Sequence, residues 1–164
     1  MRKIIEFIVK YLSSLFSPKK VETENEVNIK KYKDYITKEH DINIFKEINQ
    51  YRQSKGLSSV ENAHVNITNI IGEHAIWLND KVSSKEDAEI FAHWYAYDRF
   101  EQIKLRTSSK VKCGEVVAYG YTHPKSIVYG WDGSVGHKEI LNGDFNYVAI
   151  ASEGKCVVAV FYKV

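Results

Sequence analysis

The stretch YVAIASEGKCVVAVFY, residues 147–162, has a clear β-strand pattern. It holds two apolar runs, Tyr147–Ala151 and Cys156–Tyr162, which are separated by Ser152-Glu153-Gly154. Two runs rich in β-branched and aromatic residues around a short turn that contains glycine are typical of a β-hairpin. The sequence therefore predicts that the chain ends in two antiparallel strands.

Upstream of the hairpin, most apolar residues recur at helical spacing instead. Asp41 is a suitable N-cap for a helix that starts near residue 42, and Gly56 supplies its C-terminal stop. The further predicted elements are a helix over 62–78, a short helix capped by Ser83 or Ser84, a helix over 99–105, a strand over 115–121 and a helix opened by Pro124. The predicted class is α+β, with helices packed on an antiparallel sheet.

Composition limits the class of function. The 164 residues suffice for one compact domain plus a tail, and 13% of them are aromatic, which is unlike a disordered chain. The formal net charge is +2, but residues 1–20 alone carry five basic and one acidic side chain. The rest of the chain is slightly acidic, so a nucleic-acid partner is disfavoured.

The N-terminal region divides into two segments before the domain. Residues 1–18 have the pattern of an amphipathic helix or of a signal or anchor sequence, and residues 19–40 have the composition of a polar linker. Residues 41–164 are then the folded domain. Three roles stay open for the first segment: a signal or anchor, contact with a membrane surface through residues 1–20, or docking on its own domain.

Three titratable residues of the second half are the candidate site. His93, Glu115 and His137 lie at equal intervals of 22 residues, each beside small residues. Two imidazoles and one carboxylate are a ligand set for Zn²⁺ or another divalent cation, with one position left open for water. The alternative is a polar cluster without metal, in which the carboxylate accepts hydrogen bonds.

The motifs of the domain together resemble the CAP superfamily, also called the SCP domain (the cysteine-rich secretory, antigen and pathogenesis-related type), in a short, bacterial-like form. The motifs that carry the resemblance are, in order, Asn49-Gln50-Tyr51-Arg52 with Gly56-Leu57, Ile71-Gly72-Glu73-His74-Ala75, Phe91-Ala92-His93, Gly114-Glu115, and Trp131 through His137. The resemblance implies an α-β-α sandwich with a central antiparallel sheet. It also implies a cavity with two histidines and, in many members, two acidic residues.

His93, Glu115 and His137 match three of these cavity positions. Ser134 stands about where some members of the superfamily have glutamate, and either Asp132 or Glu139 is a candidate to replace that acidic residue. The predicted cavity is therefore His93, Glu115, His137, Ser134 and Asp132, and the candidate metal ligands are the first three.

Two cysteines, Cys113 and Cys156, leave two interpretations open. They form one disulfide in an oxidising compartment, or they are two buried thiols that behave as small apolar side chains. Both interpretations are compatible with the sequence.

Three functions are compatible with these observations. The favoured one is a binding or interaction module, secreted or associated with the cell envelope, whose ligand is a lipid, a peptide or a cell-wall component. The alternatives are a metal-dependent hydrolase of peptide or ester bonds and a structural or toxin-like protein that acts through its surface. Binding is favoured over catalysis because the sequence contains neither a nucleophile elbow nor an HExxH motif.

Overall fold

The structure, a computed structural model, describes residues 38–164. The predicted helix of residues 1–18 and all but the last three residues of the predicted linker 19–40 lie outside the described residues. The domain boundaries drawn from the sequence therefore stay a prediction. No helix within residues 38–164 is long and apolar enough to cross a bilayer.

Six helices and four strands make up the described part of the chain. In order they are α1 Glu39–Ser54, β1 Glu61–Asn62, α2 Val65–Lys81, α3 Lys85–Phe91, α4 Ala96–Arg106, β2 Lys112–Tyr119, α5 Pro124–Asp132, α6 Val135–Leu141, β3 Tyr147–Glu153 and β4 Cys156–Lys163. This order confirms the predicted α+β class and the closing hairpin.

The four strands form one sheet in the order β1-β3-β4-β2. The strand β4 pairs antiparallel with β2 on one side and with β3 on the other. The two-residue strand β1 pairs parallel with β3, so the sheet is mixed although its three long strands are antiparallel. The sequence does not predict β1, because two residues are too few to show an alternating pattern.

Helices cover both faces of the sheet. Along β4, Val158 and Val160 pack into one apolar cluster with residues of α2, α3 and α4. The alternate residues Val157, Ala159 and Phe161 pack into a second cluster with residues of α1, α5 and α6. Successive side chains of a strand point to opposite faces, so β4 is buried on both sides. These two clusters are the layers of the expected α-β-α sandwich.

The strand β2 lies at the edge of the sheet, and side chains from α5 and α6 cover part of that edge. The indole Nε1 of Trp131 donates a hydrogen bond to the carbonyl of Val117 at 3.0 Å. At Gly114, an added Cβ would come within 3.1 Å of the Ile140 side chain, so a larger residue would require the Ile140 side chain to shift. Partial coverage of an edge strand limits its pairing with other chains and leaves a cleft between the layers beside β2.

Local differences from the predictions have physical causes. The first helix begins at Glu39, and its N-cap is Lys38 rather than Asp41. Asp41 lies in the first turn, where it is buried and accepts a hydrogen bond from Ser152. The helix α6 was not predicted, because among its seven residues only Leu141 is buried, which leaves no apolar period to detect.

Other boundaries agree more closely. Ser84 caps α3 in a capping box with Asp87, as one of the two predicted cap residues. Pro124 is at the start of α5. Helix α2 begins at Val65, three residues later than predicted, because the residues before it form β1.

The two cysteines are free thiols. Cys113 is paired in register with Tyr162, whereas Cys156 is paired with Tyr119. They therefore lie six positions apart along the β2–β4 ladder, which is about 20 Å at 3.4 Å per residue. A disulfide needs Cα atoms within about 7 Å, so no bridge joins them. Burial raises the pKa of each thiol to about 11.

Candidate functional site: a cleft beside a buried ion pair

A tight aromatic turn between α3 and α4 positions His93. Trp77 of α2 packs against the rings of Phe91, Trp94 and Tyr95, with ring centroids 6.0–6.2 Å apart. Tyr95 has φ 59°, a left-handed conformation that a non-glycine residue rarely adopts. The packed rings hold this strained turn in place. His93 projects from it, with its side chain 47% exposed.

Glu115 on β2 is the buried anion of the site. Its residue is 5% exposed, and its side chain points to the same face of the sheet as Val117. Arg99 of α4 forms a bidentate ion pair with it: Nε donates to Oε2 and Nη2 donates to Oε1, both at 2.7 Å. The Nδ1 atom of His93 lies 3.0 Å from the same Oε1 atom.

The electrostatic environment keeps Glu115 ionised. Burial alone would raise the pKa of this carboxyl, but hydrogen bonds from His93 and Arg99, together with the Arg99 charge, hold it below its ordinary value. An ionised carboxylate only accepts hydrogen bonds, so the Nδ1 atom of His93 carries the proton in this contact. The His93 ring is thereby fixed in one orientation.

His137 of α6 faces His93 across the cleft. The two ring centroids are 5.9 Å apart, with 56° between the ring planes. Burial and the neighbouring His93 lower the pKa of His137, so its ring is neutral at physiological pH. Ser134 occupies the N-cap position of α6, but its side chain makes no capping hydrogen bond.

Two adjoining cavities share these residues. The first has a volume of about 470 Å³ and the second about 440 Å³, and both are lined by His93, Ser134 and His137. The first is mostly apolar, and its other lining residues include Ala92, Val117, Ala118, Tyr121, Ile127 and Trp131. The second is more open and is lined by Phe100, Gly114, Glu115 and Ile140, among others. Together they form one elongated cleft with the histidine pair at its middle.

Of the five predicted cavity residues, four line this cleft and one does not. His93, Ser134 and His137 line both cavities, and Glu115 lines the second. Asp132 is instead directed toward α1, where its Oδ1 atom accepts a hydrogen bond from the hydroxyl of Tyr51 at 2.7 Å. It also pairs with Lys138 at 3.0 Å. Asp132, the last residue of α5, is not among the residues that line the two cavities.

Two other histidines lie elsewhere. His74 is buried and stacks on Trp77, with its Nε2 atom 2.8 Å from the carbonyl of Ala92. Burial and the charge of Arg99 lower its pKa. His123, which precedes Pro124, is exposed and lines a separate shallow pocket with residues of α1.

The residues present do not fit a three-ligand metal centre. A catalytic zinc site needs lone pairs from three protein ligands, usually His, Cys or carboxylate. Both oxygens of Glu115 already accept hydrogen bonds from Arg99, and a guanidinium does not lose its proton to release them. Within residues 38–164, no group of three or more His, Cys, Asp or Glu side chains is placed to hold a metal ion. Binding of Zn²⁺ or another divalent cation by His93, Glu115 and His137 stays a prediction without support from this geometry.

Arg99 is the site residue that the sequence analysis missed. It is 6% exposed, and its Nη1 atom donates to the carbonyl of Trp94 at 2.6 Å. The available signal was its spacing: Arg99 lies four residues before Ile103, on the buried side of α4. An arginine within the apolar stripe of a helix needs an internal anion, because an unpaired buried charge is strongly destabilising.

Comparisons with solved structures identify the fold. The chain is similar to a cysteine-rich secretory protein from Staphylococcus aureus subsp. aureus Mu50, with a TM-score of 0.60 and 16% identity over 76% of this chain and 38% of that one. It is also similar to an extracellular protein containing an SCP domain from Bacillus anthracis str. Ames, with a TM-score of 0.58 and 19% identity over 76% and 40%. A third similar structure is an outer surface protein from Borrelia burgdorferi, with a TM-score of 0.50 and 18% identity over 77% and 94%.

These similarities show that the described domain has the CAP superfamily (SCP domain) fold. The chain spans about two fifths of the length of the first two proteins. Comparison of the sequence with protein-family models and with curated proteins gives no match. At this level of identity the comparison establishes the fold alone.

Proposed function

We propose that this protein is a binding module of the CAP type whose ligand occupies the cleft beside β2. The elongated cleft carries this proposal, because it joins a largely apolar cavity to a second cavity through two histidines. Binding sites are commonly concave and mostly apolar, with a few polar groups that fix the ligand's orientation. A ligand that fits has an apolar portion for the first cavity and a hydrogen-bonding group for the histidine pair.

The orientation of His93 supports the same proposal. Because Nδ1 donates to Glu115, the Nε2 atom of His93 is left for a ligand on the partly exposed side of the residue. His137 supplies a neutral ring 5.9 Å away. Among the expected ligand classes, lipids and peptides combine apolar segments with hydrogen-bond donors of this kind. A cell-wall component is the third class to be tested.

The ligand is sought with the full chain. The purified protein is incubated separately with phospholipid vesicles, a defined peptide library and soluble peptidoglycan fragments, and retained molecules are identified by mass spectrometry after size exclusion. We expect retention from one of these classes. Ala92→Phe, which fills part of the first cavity, and His137→Ala are each expected to lower retention at least tenfold. His123→Ala is the matched control, because His123 is exposed outside the cleft.

The same variants test the two other functions. Turnover of peptide or ester substrates by the wild-type protein, abolished in His93→Ala or His137→Ala, would establish an enzyme instead of a binding module. The metal-dependent hydrolase has no specific support, because Glu115 is occupied by Arg99. Retention that is unchanged in both cleft variants would favour a protein that acts through its surface.

We also propose that the protein works outside the cytoplasm or at the cell envelope. Two of the similar structures are described as an extracellular protein and an outer surface protein, which supports this location. Fractionation of the natural source, followed by mass spectrometry of the recovered chain, tests it and also determines whether the N-terminal segment is retained. Recovery from the cytoplasmic fraction alone would contradict the proposal.

A further inference from the structure

We propose that the guanidinium of Arg99 takes the place of a divalent cation beside Glu115, and that Arg99 therefore excludes metal from the cleft. The proposal concerns the cation preference of the site and holds whichever ligand the cleft binds. It makes Arg99 a specificity-determining residue, although its side chain is buried behind the cleft.

Arg99 is a permanent cation that is held by fixed hydrogen bonds in a buried position. Its planar fork satisfies both oxygens of Glu115 at 2.7 Å, and its Nη1 atom is held by the carbonyl of Trp94 at 2.6 Å. Arginine is suited to this geometry because its donors match a carboxylate in pairs and its charge persists at all physiological pH values. The side chains of Arg99 and Glu115 are 7% and 2% exposed, so water does not compete for this pair.

Charge balance then opposes a metal ion. The buried carboxylate and the guanidinium neutralise each other, and a divalent ion at Oε1 or Oε2 would lie within a few ångströms of the Arg99 charge. At Oε1 it would also have to displace a charge-assisted hydrogen bond, because that atom already accepts from both Arg99 and His93. What remains for a metal is a pair of imidazoles, which is fewer than the three protein ligands of a catalytic zinc site.

The Arg99–Glu115 pair also fixes the orientation of His93. The Nδ1 proton of His93 points to Glu115, as it would in the outer shell of a metal site, where a carboxylate orients a ligating histidine. Here that orientation is achieved without an ion. Both imidazoles are therefore available to an organic ligand in the cleft.

Zinc titration of four full-length variants tests the proposal. Wild type and Glu115→Gln are expected to bind Zn²⁺ with the same weak affinity at pH 7.5, since Glu115 is not a ligand in the native site. Arg99→Met frees the carboxylate and is expected to bind Zn²⁺ at least tenfold more tightly. The double variant Arg99→Met with Glu115→Gln is expected to lose that gain. Isothermal titration measures the affinity, and substitution of Co²⁺ adds a visible absorption band for a tetrahedral site.

Two outcomes would overturn the proposal. One is a wild-type zinc affinity that falls tenfold or more in Glu115→Gln, which would make Glu115 a native ligand. The other is a folded Arg99→Met protein that binds Zn²⁺ no better than wild type. If Arg99→Met folds only with metal, its unfolding midpoint rises with Zn²⁺ concentration, which supports the proposal. If it does not fold at all, the comparison of wild type with Glu115→Gln decides alone.

Discussion

Two buried carboxylates, Glu115 and Asp41, differ in the hydrogen-bond and charge partners that surround them. Glu115 on β2 is 5% exposed and Asp41 on α1 is 6% exposed. Both oxygens of Glu115 are paired with Arg99. Asp41 accepts a hydrogen bond from Ser152 Oγ at 2.5 Å, and within residues 38–164 its Oδ2 atom has no hydrogen-bond partner. The nearby Lys38 donates to Glu153 and to the carbonyl of Ser152.

The pKa values follow the partners rather than the depth of burial. The pKa of Glu115 is lowered although burial opposes this, because hydrogen bonds and the charge of Arg99 dominate. Burial raises the pKa of Asp41 to about 6, because the Ser152 hydrogen bond and Lys38 offset only part of the desolvation. Of these two buried carboxylates, the one that pairs with a guanidinium has a lowered pKa, and the one without such a partner has a raised pKa.

Removal of Arg99 is expected to have the largest effect on stability. Arg99→Met leaves the buried Glu115 charge without its cation, which costs about 3–5 kcal/mol in buried ion pairs. Urea unfolding of the metal-free protein measures this loss. Arg106→Met is the matched control, because Arg106 is exposed near the end of the same helix. A loss of less than about 1 kcal/mol in Arg99→Met would contradict the conclusion that Arg99 stabilises the buried Glu115 charge.

Neutralisation of Asp41 is expected to stabilise the protein, whereas removal of Arg99 destabilises it. The folded pKa of about 6 lies above the ordinary aspartate value of 3.8, so wild-type Asp41 contributes stability below pH 4 that is lost as the pH rises through 6. Asp41→Asn is therefore expected to stabilise the protein by about 2 kcal/mol at pH 8 and to have little effect near pH 4. Glu115 has the reverse dependence: its lowered pKa contributes stability at neutral pH that is lost in acid.

Thermal unfolding of Asp41→Asn and wild type across this pH range measures the difference. Asp80→Asn, a change of an exposed aspartate on α2, is the control and is expected to show no such pH dependence. An equal gain at pH 4 and pH 8 would mean that titration of Asp41 is not its cause.

Removal of the Ser152 hydroxyl is expected to have an intermediate effect on stability. Ser152→Ala deletes the hydroxyl that donates to Oδ1, and a hydrogen bond to a charged group contributes roughly 1.5 kcal/mol or more. The loss should be larger at pH 8 than at pH 4, and smaller in the Asp41→Asn background. A double-mutant cycle measures this coupling. Additive effects of the two substitutions would show that Ser152 does not act through Asp41.

Removal of His93 is expected to have the smallest effect on stability. Its side chain is 47% exposed, and Glu115 keeps both contacts with Arg99 without it. His93→Ala should cost less than about 1 kcal/mol in urea unfolding, as exposed ion pairs do. His123→Ala is the control for loss of an exposed histidine. A loss comparable with that of Arg99→Met would mean that His93, and not Arg99, holds the carboxylate.

Elements with a strong local signal follow from the sequence alone. The hairpin of residues 147–162 follows from two apolar runs and a turn, and Ser84 and Pro124 mark helix starts through their own backbone chemistry. The motif series around His93, Glu115 and His137 predicted residues that the fold brings into one cleft. In contrast, α6 and β1 have too few buried residues to produce a periodic pattern.

The pairing of buried charges, in contrast, depends on tertiary packing. Arg99 and Glu115 lie 16 residues apart on a helix and a strand, and their bidentate pairing depends on how α4 packs beside β2. Tertiary packing also places Asp132 where it accepts a hydrogen bond from Tyr51. It leaves the Oδ2 atom of Asp41 without a hydrogen-bond partner among residues 38–164. Hydrophobic periodicity is a local property that a sequence displays, whereas the partner of a buried charge is set by long-range geometry.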